Sequence, residues 1–333
     1  MDKNGSDLKI VIIGFYYGKF PEWMQYWLRS CADNPSIDFL IVTDIELDNI
    51  PSNVRILNLS LSDVKRIFKK KLNINVSLER AYKLCDYKPL YGVLLKEYID
   101  GYDYWGHCDF DLIWGNIRKF VTEYHLEQYD KFLPLGHLSL YQNNDKVNNY
   151  YKLDGSKCGD YKRVLENDRN YAFDETDGIF SIYEYNQLPM FIKRIFAEIK
   201  TYHKRFRLKK CDRNYKHQVF YYEDGNVYRA YEEHGKIKKE EYIYIHFRRK
   251  LPVNTVKTWN ALGAFYITPE GFVDKEPGII PTVAEIEKYN HNSGLMYELA
   301  ETAAFCLKNI TKVRSKIEGE IIALKCGGKN DET

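Results

Sequence analysis

Neither G-x-G-x-x-G nor G-x-x-x-x-G-K-[ST] occurs anywhere in the 333 residues, so the sequence offers no dinucleotide fingerprint and no P-loop. Cysteine is sparse and unpaired in pattern. The seven residues Cys31, Cys85, Cys108, Cys158, Cys211, Cys306 and Cys326 are odd in number, scattered, and never spaced as C-x-x-C. That argues against a zinc ribbon or a disulfide framework and fits a reducing compartment. Charge of one sign is not in excess either: 49 basic against 47 acidic residues leave +2, and a nucleic-acid partner is not expected. No apolar run approaches the roughly 20 residues of a membrane span. The opening MDKNGSDLKIVIIGF carries only a short apolar stretch and no cleavage pattern, so the expected location is cytoplasmic.

What is present is a well-mixed chain, 44% hydrophobic and 29% charged, with 29 tyrosines. Such a composition supports a sizeable core. Residues 9–15 (KIVIIGF) and 37–43 (IDFLIVT) read as buried strands, residues 22–32 as the helix between them, and residues 53–59 (NVRILNL) as a third strand. This order predicts an α/β fold with a mainly parallel sheet, in which ligands bind beyond the carboxyl ends of the strands. Residues 78–99 are expected to form a helix interrupted at Pro89. Residues 136–142 (GHLSLYQ), 178–183 (GIFSIY), 227–231 and 242–247 (YIYIHF) are expected to be further strands. The apolar residues Met296, Leu299, Ala303, Leu307, Ile310, Val313, Ile317, Ile321 and Leu324 recur every three or four positions, which predicts a helical tail. Its stripe suits packing on its own domain, a homodimer contact, or peripheral contact with an anionic membrane.

The most informative stretch is residues 101–115, GYDYWGHCDFDLIWG. In an extended strand Asp109 and Asp111 would share a face. Two adjacent carboxylates repel unless a cation lies between them, and Mg²⁺ or Mn²⁺ takes carboxylate oxygens while keeping positions for phosphate. A helix cap or a solvated turn is the plainer use of such a pair, and the aromatic flanks Tyr102, Tyr104, Trp105 and Trp114 favour the metal. His246, before Arg248, Arg249 and Lys250, is a candidate third ligand, and the basic triplet is suited to a diphosphate leaving group. Asp86 and Lys88 could meet a ribose hydroxyl or a phosphate, or be ordinary helix-surface charges. Among Asp174, Glu175 and Asp177, a base for an acceptor hydroxyl is expected at Asp177, with Glu175 second; the same residues also suit a plain turn. His107 and His137 are expected in the core or behind the ligands.

The run WGHCDFDLIWG resembles the metal-binding DxD segment of GT-A glycosyltransferases. More narrowly, FYYGKFPEW, IDFLIVTD, LCDYKPLYG, GHLSLYQN, DGIF and IHFRRK together resemble a bacterial family of predicted glycosyltransferases associated with capsule and lipopolysaccharide loci. The resemblance implies a GT-A-like, Rossmann-like mixed sheet flanked by helices. It places a nucleotide-binding half at about 1–115 and an acceptor half at about 116–255; residues 256–333, outside the matched part, are expected to form a largely helical extension. It implies a nucleoside diphosphate sugar as donor, a UDP-sugar foremost, and a saccharide or lipid-linked saccharide as acceptor. Phe15, Tyr16 and Asp44 would then contact base and ribose, Asp109 and Asp111 the metal, and His246 the metal from the far side. A metal-dependent phosphohydrolase or nucleotidyltransferase, and a carbohydrate-binding scaffold without catalysis, are the alternative readings. A glycosidase is excluded for this pair, because its two carboxyls must stand ~5 Å or more apart across a bond.

Overall fold

The computed structural model describes residues 5–200, 205–209, 213–248, 251, 253 and 261–290. The expected helical stripe of the tail falls on residues beyond 290 and so lies outside the described residues, as does Lys250.

Strand β1 (Ile10–Phe15) is buried along almost its whole length, as a central parallel strand must be when both faces are covered. It pairs in parallel with β2 (Ile37–Thr43) on one side and β4 (Tyr104–Cys108) on the other, and β2 pairs in parallel with β3 (Val54–Asn58). Between β1 and β2 runs α1 (Met24–Ala32), which buries Met24, Trp27, Leu28 and Cys31 against one face of the sheet. Helix α2 (Leu61–Leu72) follows β3. Ser60 caps it, accepting from the Asp63 N–H while the Asp63 side chain accepts from the Ser60 N–H. It places Val64 and Phe68 on the opposite face.

The remaining strands are β5 (Leu112–Trp114), β6 (Lys131–Phe132), β7 (Leu138–Gln142), β8 (Met190–Phe191), β9 (Ala197–Lys200), β10 (Arg207–Leu208), β11 (Gln218–Glu223), β12 (Asn226–Glu233), β13 (Lys236–Tyr242), β14 (Tyr244–His246), β15 (Ala264–Thr268) and β16 (Gly271–Asp274). They complete three sheets. The main sheet runs β3-β2-β1-β4-β7-β6-β8, with β7 antiparallel to both neighbours. A second runs β10-β9-β14-β5, and a third, wholly antiparallel, runs β13-β12-β11-β15-β16. The fold is thus mixed α/β around a mainly parallel sheet, as the sequence predicts. Among the described residues no helix is long and apolar enough to cross a membrane.

Three local expectations differ from the structure. Residues 81–90 wind as a 3₁₀ helix and only Tyr91–Leu94 is α-helical, because Pro89 has no N–H to donate within the turn. The segment GIFSIY is helical, not a strand. Ile179, Ile182 and Tyr183 share one buried face at helical spacing, and the Ser181 hydroxyl bonds back to the Asp177 and Gly178 carbonyls. Gly178 is required there, since a Cβ would stand 2.1 Å from the Phe173 carbonyl oxygen. Finally, the stretch from residue 256, expected to be largely helical, contributes β15 and β16 to the same sheet as β11 and β12.

Candidate functional site

Asp109-Phe110-Asp111 is the bend by which the chain leaves the main sheet at β4 and enters the second sheet at β5. The expected single strand is therefore two, and the bend rather than strand alternation brings the carboxylates together. Phe110 pins the bend. Its ring packs against Trp27 and Tyr16, and occupies the space a side chain at Gly14 would need, 2.6 Å from that Cβ. The Asp109 N–H donates to the His137 carbonyl on the β7 side, and the Phe247 N–H donates to the Asp111 carbonyl on the β14 side. Each carboxylate thus receives a histidine neighbour from a different sheet.

His246 ends β14, whose register sets it opposite Leu112 on β5. Its Nε2 is 3.6 Å from Asp111 Oδ2. One ligand atom from each of Asp109, Asp111 and His246 lies within 4.8 Å of the others. Two carboxylates and one imidazole suit a Mn²⁺ or Mg²⁺ position that leaves room for phosphate oxygens and water. His246 Nδ1 is buried with no hydrogen-bond partner among the described residues.

Asp109 is also held by Lys88. Its ammonium donates to Asp109 Oδ1 at 2.7 Å, to Asp174 Oδ2 at 2.9 Å and to the Gly136 carbonyl at 2.8 Å. Burial disfavours its charge, but the two carboxylates more than compensate, and its pKa is raised well above the lysine range. The reciprocal effect is seen at Asp109. Burial pushes its carboxyl up, while the Lys88 charge and hydrogen bond hold it down at about 2. Asp174 is raised, because burial there outweighs Lys88. Glu175 beside it is raised to about 7, through burial first and the Asp174 charge second. Gly136 makes this crowding feasible: a Cβ on it would stand 2.4 Å from Asp174 Oδ2 and 3.0 Å from Glu175 Oε1.

A cleft of about 360 Å³ opens over these groups, lined among others by Phe15, Tyr16, Tyr82, Lys88, Asp109 and Asp111. A lining that combines aromatic rings with two carboxylates and an ammonium suits a planar base joined to a charged, hydroxylated body.

A family model described as "Family of unknown function (DUF6625)" matches residues 12–276. The chain belongs to that family. No curated protein matches its sequence. Among solved structures it is similar to the apo form of mouse xyloside xylosyltransferase 1, with 8% identity over 58% of this chain and 88% of that one, at a TM-score of 0.36. It is also similar to an active-site mutant of LgtC, with 12% identity over 58% and 76% of the two chains and a TM-score of 0.33. The galactosyltransferase LgtC in complex with donor and acceptor sugar analogues gives 12% identity over 58% and 77%, with a TM-score of 0.31.

In this family member the sequence-expected residues divide into those the fold gathers and those it does not. Phe15, Tyr16, Lys88, Asp109 and Asp111 line one cleft, and His246 stands against Asp111. Lys88, read as a helix-surface charge or a phosphate contact, is instead a buried bridge between two carboxylates. Asp86 is fully buried: its carboxylate takes the Lys83 ammonium at 2.8 Å and the N–H groups of Tyr171 and Phe173, which makes it a structural anchor for the loop before Asp174. Asp44 is exposed just past β2 and is not among the residues lining the cleft. Asp177 is exposed as well, and its carbonyl accepts from the Lys157 N–H and the Ser181 hydroxyl. Arg248 donates to Glu198 Oε1 at 2.6 Å. Asp174 was named only as part of an acidic turn, and Glu198 was not anticipated at all; a lone glutamate in the apolar stretch IFAEIK was its only signal.

Proposed function

We propose that the chain is a metal-dependent glycosyltransferase, moving a hexosyl group from a nucleoside diphosphate sugar to a saccharide or lipid-linked saccharide acceptor in bacterial surface polysaccharide synthesis. UDP-sugars are the favoured donors. The observation that carries the reading is the convergence of Asp109, Asp111 and His246 within 4.8 Å, with both carboxylates lining a cleft that aromatic side chains also line. The sequence resemblance of the DxD, LCDYKPLYG and IHFRRK segments supports the substrate class.

A divalent cation held by Asp109, Asp111 and His246 would grip the diphosphate and stabilise the charge that develops on the departing nucleotide. The protein's own groups supply the rest. Phe15 and Tyr16 offer faces to the base. Lys88 fixes Asp109 through Oδ1, which leaves Oδ2 for the cation. Glu175, with a pKa of about 7, exists in both protonation forms at neutral pH and is by its pKa a better acid–base candidate than the exposed Asp177.

The test is a thermal-shift panel of UDP, GDP, CDP and their sugars, with Mn²⁺ or with chelator, on the native chain and Asp111→Ala. A ligand that binds only the folded state raises the melting temperature. One nucleotide series should stabilise the native chain with Mn²⁺ alone and fail to stabilise Asp111→Ala. No shift with any nucleotide, with or without metal, would remove the transferase reading and leave the scaffold.

A further inference from the structure

Beside the Asp109–Asp111 centre lies a second set of ligand-type side chains that shares only His246 with it. His137, Glu198 and His246 are all buried, and one ligand atom from each lies within 4.8 Å of the others. Strand register explains the juxtaposition: β14 pairs in parallel with β9 so that His246 falls opposite Glu198. His137, just before β7, enters from the main sheet, and its ring centroid is 4.5 Å from that of His246.

Both imidazoles have a ring nitrogen without a hydrogen-bond partner among the described residues. His137 Nδ1 is 2.7 Å from the Tyr244 hydroxyl, while His137 Nε2 and His246 Nδ1 are buried without a hydrogen-bond partner. Leaving a buried polar nitrogen unpaired costs about 1–3 kcal/mol, so two on histidines of one cluster call for an occupant. Tyr244 is the kind of neighbour a metal-bound histidine has, fixing the ring through one nitrogen and leaving the other for the metal.

We propose that His137, Glu198 and His246 form a second metal site, selective for Zn²⁺ over Mg²⁺ or Mn²⁺. Two imidazoles and one carboxylate are a donor set that zinc favours, and three protein ligands leave it a fourth position for water. Ligand atoms around tetrahedral zinc lie roughly 3.3 Å apart, so the three side chains need close by no more than about 1.5 Å. Glu198 Oε1 is taken by Lys209 at 3.0 Å and Arg248 at 2.6 Å, but the Oε2 contact to Arg194 is long, 3.5 Å, which leaves Oε2 as the ligating atom. These three cations oppose a divalent ion. Each is about a third exposed, so solvent screens much of that repulsion.

His246 is common to both sites. A neutral imidazole has a single free lone pair, so it can serve one metal at a time. Zinc at the inner site therefore withdraws a ligand from the Asp109–Asp111 centre and acts as a competitive inhibitor of its Mn²⁺. Only this consequence rests on the proposed function; the site itself does not.

Zn²⁺ binding by the full chain, read against a chromophoric chelator, tests the site without nucleotide or sugar. The Asp109→Asn/Asp111→Asn protein should still bind one Zn²⁺, and adding His137→Asn should abolish it. In case His137→Asn does not fold, Tyr244→Phe in the same background should weaken Zn²⁺ at least ~10-fold, as loss of a partner behind a metal ligand does. Loss of Zn²⁺ binding in Asp109→Asn/Asp111→Asn, or undiminished binding in His137→Asn or Tyr244→Phe, overturns the proposal. A nucleotide panel that fails while these Zn²⁺ results hold would dispose of the transferase alone.

Discussion

The Lys88 ammonium lies 2.7 Å from Asp109 Oδ1 and holds the first carboxylate of the DxD bend. The same ammonium is 2.9 Å from Asp174, so a single buried charge ties together the 3₁₀ segment, the bend and the loop before residue 175. Lys88→Met should cost about 3–5 kcal/mol at neutral pH, because it strands two carboxylates in a poorly solvated place. Urea denaturation at pH 7 and pH 5 checks this. The penalty should shrink at the lower pH, where a stranded carboxyl can take a proton.

Glu175 gives a pH signature of opposite sense to an ordinary ion-paired carboxylate. Its folded pKa of about 7 lies above the 4.5 of the free group, so the folded chain holds the extra proton. Stability contributed by this group is present below pH 4.5 and is lost as pH rises toward 7. Glu175→Gln should therefore gain on the native chain between pH 5 and pH 7.5, by on the order of 2–3 kcal/mol at most. Melting curves of both proteins over that range decide it. Parallel curves would mean that Glu175 is not held protonated.

Gly136→Ala is expected to destabilise by about 1–3 kcal/mol through overpacking against Asp174 and Glu175, and to impair donor binding by displacing Asp174. Adding Glu175→Ala should not restore the loss, since the nearer clash, 2.4 Å, is with Asp174. Chemical denaturation and nucleotide titration of the single and double variants test both parts.

Asp177→Asn should leave melting temperature and nucleotide binding within error of the native chain, because Asp177 is exposed and its described contacts use the backbone carbonyl. A large loss of transfer in this variant would restore Asp177 as the base.

The N-terminal half of the fold was legible because buried parallel strands leave continuous apolar runs. KIVIIGF and IDFLIVT match β1 and β2 to within a residue. GIFSIY was not legible, since a short apolar run has no period of its own; Ser181 closing onto Asp177 and Gly178 decides for helix. Similarly, Asp109 and Asp111 could be singled out from spacing and flanks, whereas Asp174 and Glu198 could not. Their partners Lys88 and Arg248 lie 86 and 50 residues away, and only the tertiary fold brings them into reach, for Glu198 through the register of β9 and β14. Asp86 shows the converse: a carboxylate in a promising motif is drawn into the core by Lys83 three residues before it.

The central claim is that Asp109, Asp111 and His246 hold a divalent cation together with a nucleoside diphosphate. The most direct measurement is the electron paramagnetic resonance of Mn²⁺ titrated with the native chain, with and without UDP, alongside Asp109→Asn/Asp111→Asn. The account predicts that UDP tightens Mn²⁺ binding at least ~10-fold in the native chain, a coupling of about 1.4 kcal/mol, and has no effect in the variant. Mn²⁺ that stays free, or binds equally well without UDP and in the variant, would contradict it.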